Sequence, residues 1–371
     1  MLNFSCTRED LALGLQRAQK AVAKRTTMEI LEGVKFETKD NNILTLMASD
    51  LEIGVKTVIP ATVQGEGSLV LKSDFLYDLV RKLKDDEIIF KQETEGVIKM
   101  ICGRSSYTLK GMSADDFPEF PKPRNAYNFT IASDTLSSII KQTLYAVASS
   151  ESIPILTGEK WEIHDHSLTA VGLDGYRLSI RLGQLSKPIL EPLDIVVPGK
   201  ALKELEKMLT NYDGDVTIQV SKSQIFFGLD DTIFASRLLE GSYIEYKKVI
   251  PKEKKTVINV NRLDLLNCAE RSAIITKEKQ HNLIVLSITD EELVIHSDSD
   301  LGHSHEVLPI QKWGSDLKIA FNVKFLLDAL HACEDESIKI RFIDQVSPAL
   351  FTNEDRTLVS LVLPVKIDSN F

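Results

Sequence analysis

One succession of elements occurs three times along the 371 residues, at a period of roughly 125. Each copy opens with a short alternating strand and an amphipathic helix. Paired strands follow, then a second short strand, a second helix and a strongly alternating strand. The period is far longer than the ~20–50 residues of solenoid or propeller units, so each copy is expected to be a domain with a core of its own.

The apolar spacing shows this directly. In the first copy Leu2 to Cys6 reads as a strand and Arg8 to Ala23 as a helix, with Leu11, Leu15, Ala18 and Val22 on one face. The second copy offers Tyr127 to Ile131, then Leu136, Ile139, Ile140, Leu144 and Val147. The third offers Val257 to Val260, then Leu263, Leu266, Ala269 and Ala273. Thr7, Ser133 and Asn261 stand where an N-cap is needed. Second helices are expected at Asp74 to Leu83, Lys200 to Leu209 and Val323 to Ala332, each followed by a strand of period two. Two helices and many short strands per copy make an α+β protein. Pro118, Pro121 and Pro123 close the first copy and Pro251 the second, giving domains at 1–124, 125–252 and 253–371.

A hydrophobic content of 43% suits packed domains. No apolar run approaches the ~20 residues of a membrane span. Met1 to Asp10 has no apolar signal region. The expectation is a cytoplasmic protein with no membrane partner. Cys6, Cys102, Cys268 and Cys333 are scattered and form no C-x-x-C pair, which reads as buried thiols rather than a zinc ribbon.

An enzyme needs a constellation, and the familiar ones are missing. There is no phosphate loop, no dinucleotide fingerprint, no H-E-x-x-H and no G-x-S-x-G. The most enzyme-like stretch runs from His296 to Glu306 and includes His303 and His305, with His164 and His166 as a weaker second. A metal-dependent hydrolase using the His296–His305 loop is the alternative reading, against a polar loop at a strand end. Expected catalytic residues, metals and cofactors are none.

Several short segments, in order and at fitting intervals, carry a resemblance along essentially the whole chain. They include Ser49-Asp50-Leu51-Glu52, Gly103-Arg104-Ser105, Asp116-Phe117-Pro118, Leu156-Thr157-Gly158, Asp174-Gly175-Tyr176-Arg177-Leu178, Tyr246-Lys247-Lys248-Val249-Ile250-Pro251, Phe321-Asn322-Val323 and Leu363-Pro364-Val365-Lys366. With them the chain closely resembles the β sliding clamps, the beta subunits of bacterial DNA polymerase III. The resemblance implies three repeated domains of the DNA-clamp fold, joined head to tail in a homodimeric ring around duplex DNA. It implies a processivity factor in the replicative polymerase holoenzyme, non-catalytic itself, with the polymerase catalytic subunit and a clamp loader as partners. Other polymerases and repair proteins would dock through a short apolar peptide.

The resemblance places that peptide's pocket between the second and third domains. Its residues would be Leu156, Leu173, Gly175, Tyr176, Arg177, Leu178, Ile244, Lys248 and Val249, with Val346, Ser347, Leu361, Leu363, Pro364, Val365 and Lys366. Taken alone, Leu173 or Leu361 reads as plain core. Tyr176 stands where the family often has His, Ile244 and Lys248 where other members have Pro and Arg, and Pro348 where a small polar residue is usual. A further expectation is that Phe371, the last residue of a long tail, folds back into the pocket.

The resemblance also implies DNA contacts at Lys24, Arg25 and Lys200. The Ser149–Ile153 loop is another such region, without the aromatics that some members have. At the ring seam Tyr107 and Leu109 would meet Ile274 and Ile275 of a second copy. A net charge of −10 argues against a conventional DNA binder. Basic residues nonetheless recur on the helices: Arg17 and Lys20 on the first, Arg81 and Lys82 on the second, Lys141, Lys203 and Lys207 in the second copy, and Arg262, Arg271, Lys277, Lys279 and Lys324 in the third. Acidic neighbours interleave with them, so a single helix reads as an ordinary solvated face. Equivalent helices facing one axis would give a diffuse, sequence-blind attraction for phosphates, which suits sliding.

Overall fold

The computed structural model describes residues 1–39, 42–124, 126–150, 152–276, 282–300 and 302–366. Six α-helices occur among them: α1 (Arg8–Ala18), α2 (Ser73–Lys82), α3 (Ser133–Thr143), α4 (Gly199–Leu209), α5 (Arg262–Thr276) and α6 (Val323–Ala332). None is long and apolar enough to cross a membrane. Two per repeat fall where the periodicity puts them. The end of α1 differs from expectation: it stops at Ala18, tightens into a 3₁₀ turn over Gln19–Ala21, and leaves Val22 extended. Thr7 and Asn261 cap as expected, their side-chain oxygens accepting from the backbone N–H of Asp10 at 3.0 Å and of Asp264 at 3.1 Å. Ser133 instead lies inside the first turn of α3, and its hydroxyl donates to the Tyr212 carbonyl at 2.9 Å.

The chain divides into two compact units that cut across the repeats. One comprises Met1–Ser133 with Lys207–Leu238, the other Asp134–Glu206 with Leu239–Phe371. Edge-to-edge strand pairing is the reason. In the first unit Thr232–Arg237, from the second repeat, pairs antiparallel with Ile53–Pro60, from the first, and a hydrogen-bonded series of thirteen strands results. In the second unit Arg177–Gln184 pairs antiparallel with Leu358–Val362, joining second and third repeats in a nine-stranded sheet. A separate four-stranded sheet, whose edge strand is Gly302–Pro309, belongs to the second unit.

In the first unit Phe4, Phe36 and Phe90 form a buried aromatic stack, with the Phe4 and Phe90 centroids 4.9 Å apart. Leu11 and Leu15 of α1 and Leu76 and Val80 of α2 are fully buried. Gly14 lets α1 settle closely on the sheet, since a Cβ there would lie 2.8 Å from Leu46 Cδ1. At the strand joint, the Thr57 and Thr232 hydroxyls meet at 2.7 Å, and Arg17 donates to Thr232 at 2.9 Å. The two hydroxyls are cut off from water, and these groups supply their hydrogen bonds.

The second unit has its largest core between α5, α6 and the sheets, where Leu265, Leu326 and Phe321 meet Ile258, Ile340 and Phe351. Trp161 and Glu159, both with no exposed surface, sit beside α3. The Trp161 indole donates to Glu159 Oε2 at 3.1 Å, and the Thr143 hydroxyl lies 2.9 Å from Oε1. All four cysteines are free and buried. Burial pushes the Cys6 thiol up to about 12, so it stays protonated and behaves as a small apolar side chain.

Candidate functional site

The expected pocket residues all belong to the second unit, and two tight turns set its shape. In the first turn Asp174 Oδ1 accepts from the N–H groups of Tyr176 and Arg177, at 2.9 and 3.0 Å. Gly175 sits between them at φ +91, a conformation that strains any residue with a Cβ. In the second, Asp344 Oδ1 accepts from Val346 at 3.0 Å and Ser347 at 2.7 Å. Those backbone donors hold the Asp344 carboxyl below the usual carboxylate range.

Leu156, Leu173, Leu178 and Leu361 pack with Val171, Tyr246 and Leu350 in a single buried cluster. Leu173 and Leu361 are thus core side chains of this cluster. Tyr176, Ile244, Val249 and Val346 stand exposed, and Leu363 lies at the border of exposure. The Leu363 N–H donates to the Tyr176 carbonyl at 2.9 Å, which holds the C-terminal strand end against the Asp174 turn. Burying exposed aliphatic and aromatic area of this kind yields ~25 cal/mol per Å², so an apolar segment is the ligand chemistry that fits.

Arg177 differs from expectation. Expected among the residues that line the pocket, it is only 8% exposed. Its Nε donates to Asp174 at 3.0 Å and its Nη1 to Asp328 on α6. The guanidinium carbon stands 4.7 Å from the Phe325 ring centroid and 5.3 Å from that of Tyr145. Tyr145 is fixed in turn by a bond from its hydroxyl to Ser360, at 2.9 Å. Arg177 is therefore a strut that ties the turn and its strand to α6. Tyr176 stacks on the outer side of Phe325, with centroids 5.8 Å apart.

Tyr145, Tyr246, Phe325 and Asp328 were not assigned to the site from sequence. Phe325 and Asp328 lie some 150 residues from Arg177 in the chain, and helical spacing alone makes them ordinary members of α6. Lys248 is exposed and paired with Glu245. Tyr246 anchors that stretch, because its hydroxyl donates to Glu162 at 2.8 Å. Pro364 and Val365 are half-buried, and Val365 N–H donates to the Ala320 carbonyl at 2.8 Å. Lys366 is exposed. Phe371 lies outside the described residues.

Lys24 and Arg25, just past α1, are exposed and make no ion pair within 4 Å among the described residues. Lys200 is exposed in the first turn of α4. Four helix cations have partners close by. Arg8 faces Asp86 at 3.9 Å, Lys141 faces Glu206 at 3.6 Å, Arg271 faces Glu306 at 2.6 Å, and Arg262 donates to the Asp335 carbonyl at 2.8 Å. Lys277 and Lys279 lie outside the described residues, as does residue 151 of the Ser149–Ile153 loop. Of the residues expected at a seam, Ile274 is exposed, Tyr107 and Ile275 are half-buried, and Leu109 belongs to the core of its own unit.

The His296–His305 stretch is a hairpin rather than a loop, formed by Glu292–Ser299 and Gly302–Pro309. His296 and His305 are cross-strand partners with Nδ1 atoms 3.3 Å apart. His303 pairs with Asp298 at 3.1 Å, and Glu306 is held by Arg271. Among the described residues no three such groups converge on a point where an ion would sit.

Comparison with known proteins gives a consistent result. Residues 2–121, 130–245 and 247–366 match the family models for the N-terminal, central and C-terminal domains of the DNA polymerase III beta subunit. The beta sliding clamp of Bacillus subtilis is 32% identical, over 98% of this chain and 100% of that protein. A crystal structure of a DNA polymerase III beta subunit from Eubacterium rectale superposes with a TM-score of 0.95 at 30% identity, covering 99% of this chain and all of that one. A sliding clamp from Pseudomonas aeruginosa bound to griselimycin superposes with a TM-score of 0.92 at 26% identity, covering 99% and 100%.

Proposed function

Since the chain belongs to the DNA polymerase III beta subunit family, the sliding clamps, we propose that it works as a closed ring on duplex DNA and tethers a replicative polymerase to it. The ring is a head-to-tail homodimer. Two strand edges support such a join. Ser105–Met112 has a partner on only one side over most of its length, and Gly302–Pro309 is the edge of its sheet. Unpaired edges invite strand addition from another chain. A heterologous contact whose rotation closes gives a ring, with Tyr107 of one copy near Ile274 and Ile275 of the next.

Grip on DNA then comes from closure. Lys24, Arg25 and Lys200 supply a weak phosphate attraction that does not stop the ring from moving. The polymerase, the clamp loader and other polymerases or repair proteins compete for the Tyr176–Leu363 pocket through short apolar segments. The observation that supports this reading is the buried cluster of Leu156, Leu173, Leu178 and Leu361 in the same unit as the exposed apolar Tyr176, Ile244, Val249 and Val346. The protein performs no chemistry of its own and acts in the cytoplasm, at the nucleoid.

The test is retention on circular against linear DNA after loading. The ring is expected to stay on closed circles and to run off free ends. Equal loss from both removes the clamp reading.

A further inference from the structure

On the nine-stranded sheet, Trp313, Val257 and Arg341 lie side by side on three adjacent strands: Val257 is the cross-strand partner of both others. Strand alternation decides which way this row faces. Ile258, Val260, Ile338, Ile340 and Phe342 are buried in the core with α5 and α6, so the row occupies the opposite, solvent face. There a cavity of about 360 Å³ opens, lined by Trp313 and by five cations, Lys254, Lys255, Lys339, Arg341 and Arg356. None of the five makes an ion pair within 4 Å among the described residues, which is unexpected in a chain of net charge −10. Asp344, whose carboxylate Lys255 also favours, is already engaged by two backbone N–H groups.

The cavity is built rather than incidental. Gly314 holds φ +99, and a Cβ there would collide with the Lys255 carbonyl. The glycine lets the end of the Trp313 strand close onto Lys255, and 55% of the indole remains exposed. Unpaired cations around one open aromatic face are what a single-stranded nucleic acid needs, with phosphates on the cations and a base on the ring. A duplex has its bases already stacked and would leave the indole unused. An acidic peptide would use the cations but has no flat ring to lay on Trp313. Trp313 and Arg341 are two strands apart, about 10 Å at ~4.8 Å per strand, a distance that a base and a neighbouring phosphate span in an extended strand.

We propose that the Trp313–Arg341 cavity is a binding site for single-stranded nucleic acid, separate from the apolar peptide pocket. The two tryptophans make it testable. Trp161 has no exposed surface, so quenching of emission by a ligand reports Trp313. The full-length protein is titrated with a single-stranded oligothymidylate of about ten nucleotides, too short for threading through a ring to retain it. Quenching is expected, with affinity falling as salt rises, at a log–log slope of about −2 to −3 for three or four neutralised phosphates.

Lys339→Gln with Arg341→Gln should weaken binding about tenfold and flatten the slope by ~1.4. Trp313→Ala, followed by anisotropy of a labelled oligonucleotide, should weaken it about tenfold. Unchanged Trp161 emission shows that the variants remain folded. No quenching overturns the proposal, as does wild-type affinity in both variants. Equal quenching by polyglutamate or by a short duplex also overturns it. Ring retention on circular DNA is read separately, so failure here leaves the clamp reading standing.

Discussion

Arg177 and Arg341 are both guanidinium groups on the second unit's sheet, yet their surroundings differ. Arg177 is buried between Phe325 and Tyr145 and donates to Asp174 and Asp328. Arg341 lines a cavity with four other cations and has no carboxylate within 4 Å among the described residues. Where the charge is answered inside the protein, the site offers its ligand an apolar surface. Where it is left open, the site offers a charge. Pairing, more than the residue type, decides which ligand chemistry a cationic side chain recognises.

The comparison breaks most sharply on stability. Arg177→Ala leaves Asp174 and Asp328 facing each other without a counterion and removes the filling between two rings. Because Asp328 keeps some solvent, the loss should lie near the low end for a broken buried pair, about 3 kcal/mol in urea unfolding. Arg341→Ala, at a half-exposed and unpaired position, should change stability by less than about 0.5 kcal/mol. Similar losses at the two positions would mean that pairing does not separate them.

A second contrast lies in what supports each site. Leu178 is fully buried in the cluster with Leu156, Leu173 and Leu361, and Leu178→Ala should destabilise by about 2–4 kcal/mol through lost packing and a residual cavity. Val257, half-buried at the bottom of the cationic cavity, should lose about 1 kcal/mol or less on truncation to Ala. Thermal unfolding of the two variants side by side checks the order.

These pairs show how much was readable from the chain. The threefold period, the six helices and the caps at Thr7 and Asn261 follow from local spacing, and local spacing is what one sequence displays. Period two announces a strand at Thr232–Arg237 but carries no sign that it will pair with Ile53–Pro60 of another repeat. The same blindness hid Phe325 and Asp328, whose part in the site exists only once α6 lies against the Asp174 turn. Arg177 was visible as a site residue but not as a buried strut. Trp313 and its five cations are spread from Lys254 to Arg356, and no motif links them.

Glu159 shows a third way to settle a charge. It is fully buried beside α3, and burial pushes its carboxyl up to about 8 despite the bond from the Trp161 indole. The hydroxyl of Thr143 also lies 2.7 Å from the Ile139 carbonyl, and it has one hydrogen to give. A proton on Glu159 resolves this: the acid donates to Thr143 Oγ1, and Thr143 donates to Ile139. With the folded value raised above the ordinary 4.5, this group's contribution is complete below pH 4.5 and is lost as pH rises through about 8. Glu159→Gln keeps both hydrogen bonds without a titrating group. It should therefore be more stable than the parent at pH 8.5, by about 1 kcal/mol or more, and should flatten the decline between pH 5 and 8. Denaturant midpoints across that range decide the matter, and a parallel pH profile in both proteins would exclude the protonated pair.

The smallest effect concerns the two exposed rings. Tyr176 lies on Phe325 at the rim of the peptide pocket, and truncation to Ala removes an aromatic pair of about 0.5–1.5 kcal/mol that a docked segment would extend. Peptide affinity should fall about three- to tenfold, with little dependence on salt, because neither the Tyr176 ring nor an apolar segment carries a charge. Trp313→Ala should leave that affinity untouched and act only on single-stranded nucleic acid, where salt matters strongly. Crossing the two variants against the two ligands is the most economical check that the sites are independent. If Tyr176→Ala weakened oligonucleotide binding as much as peptide binding, one surface would be serving both ligands, and the division between answered and open charge would not hold.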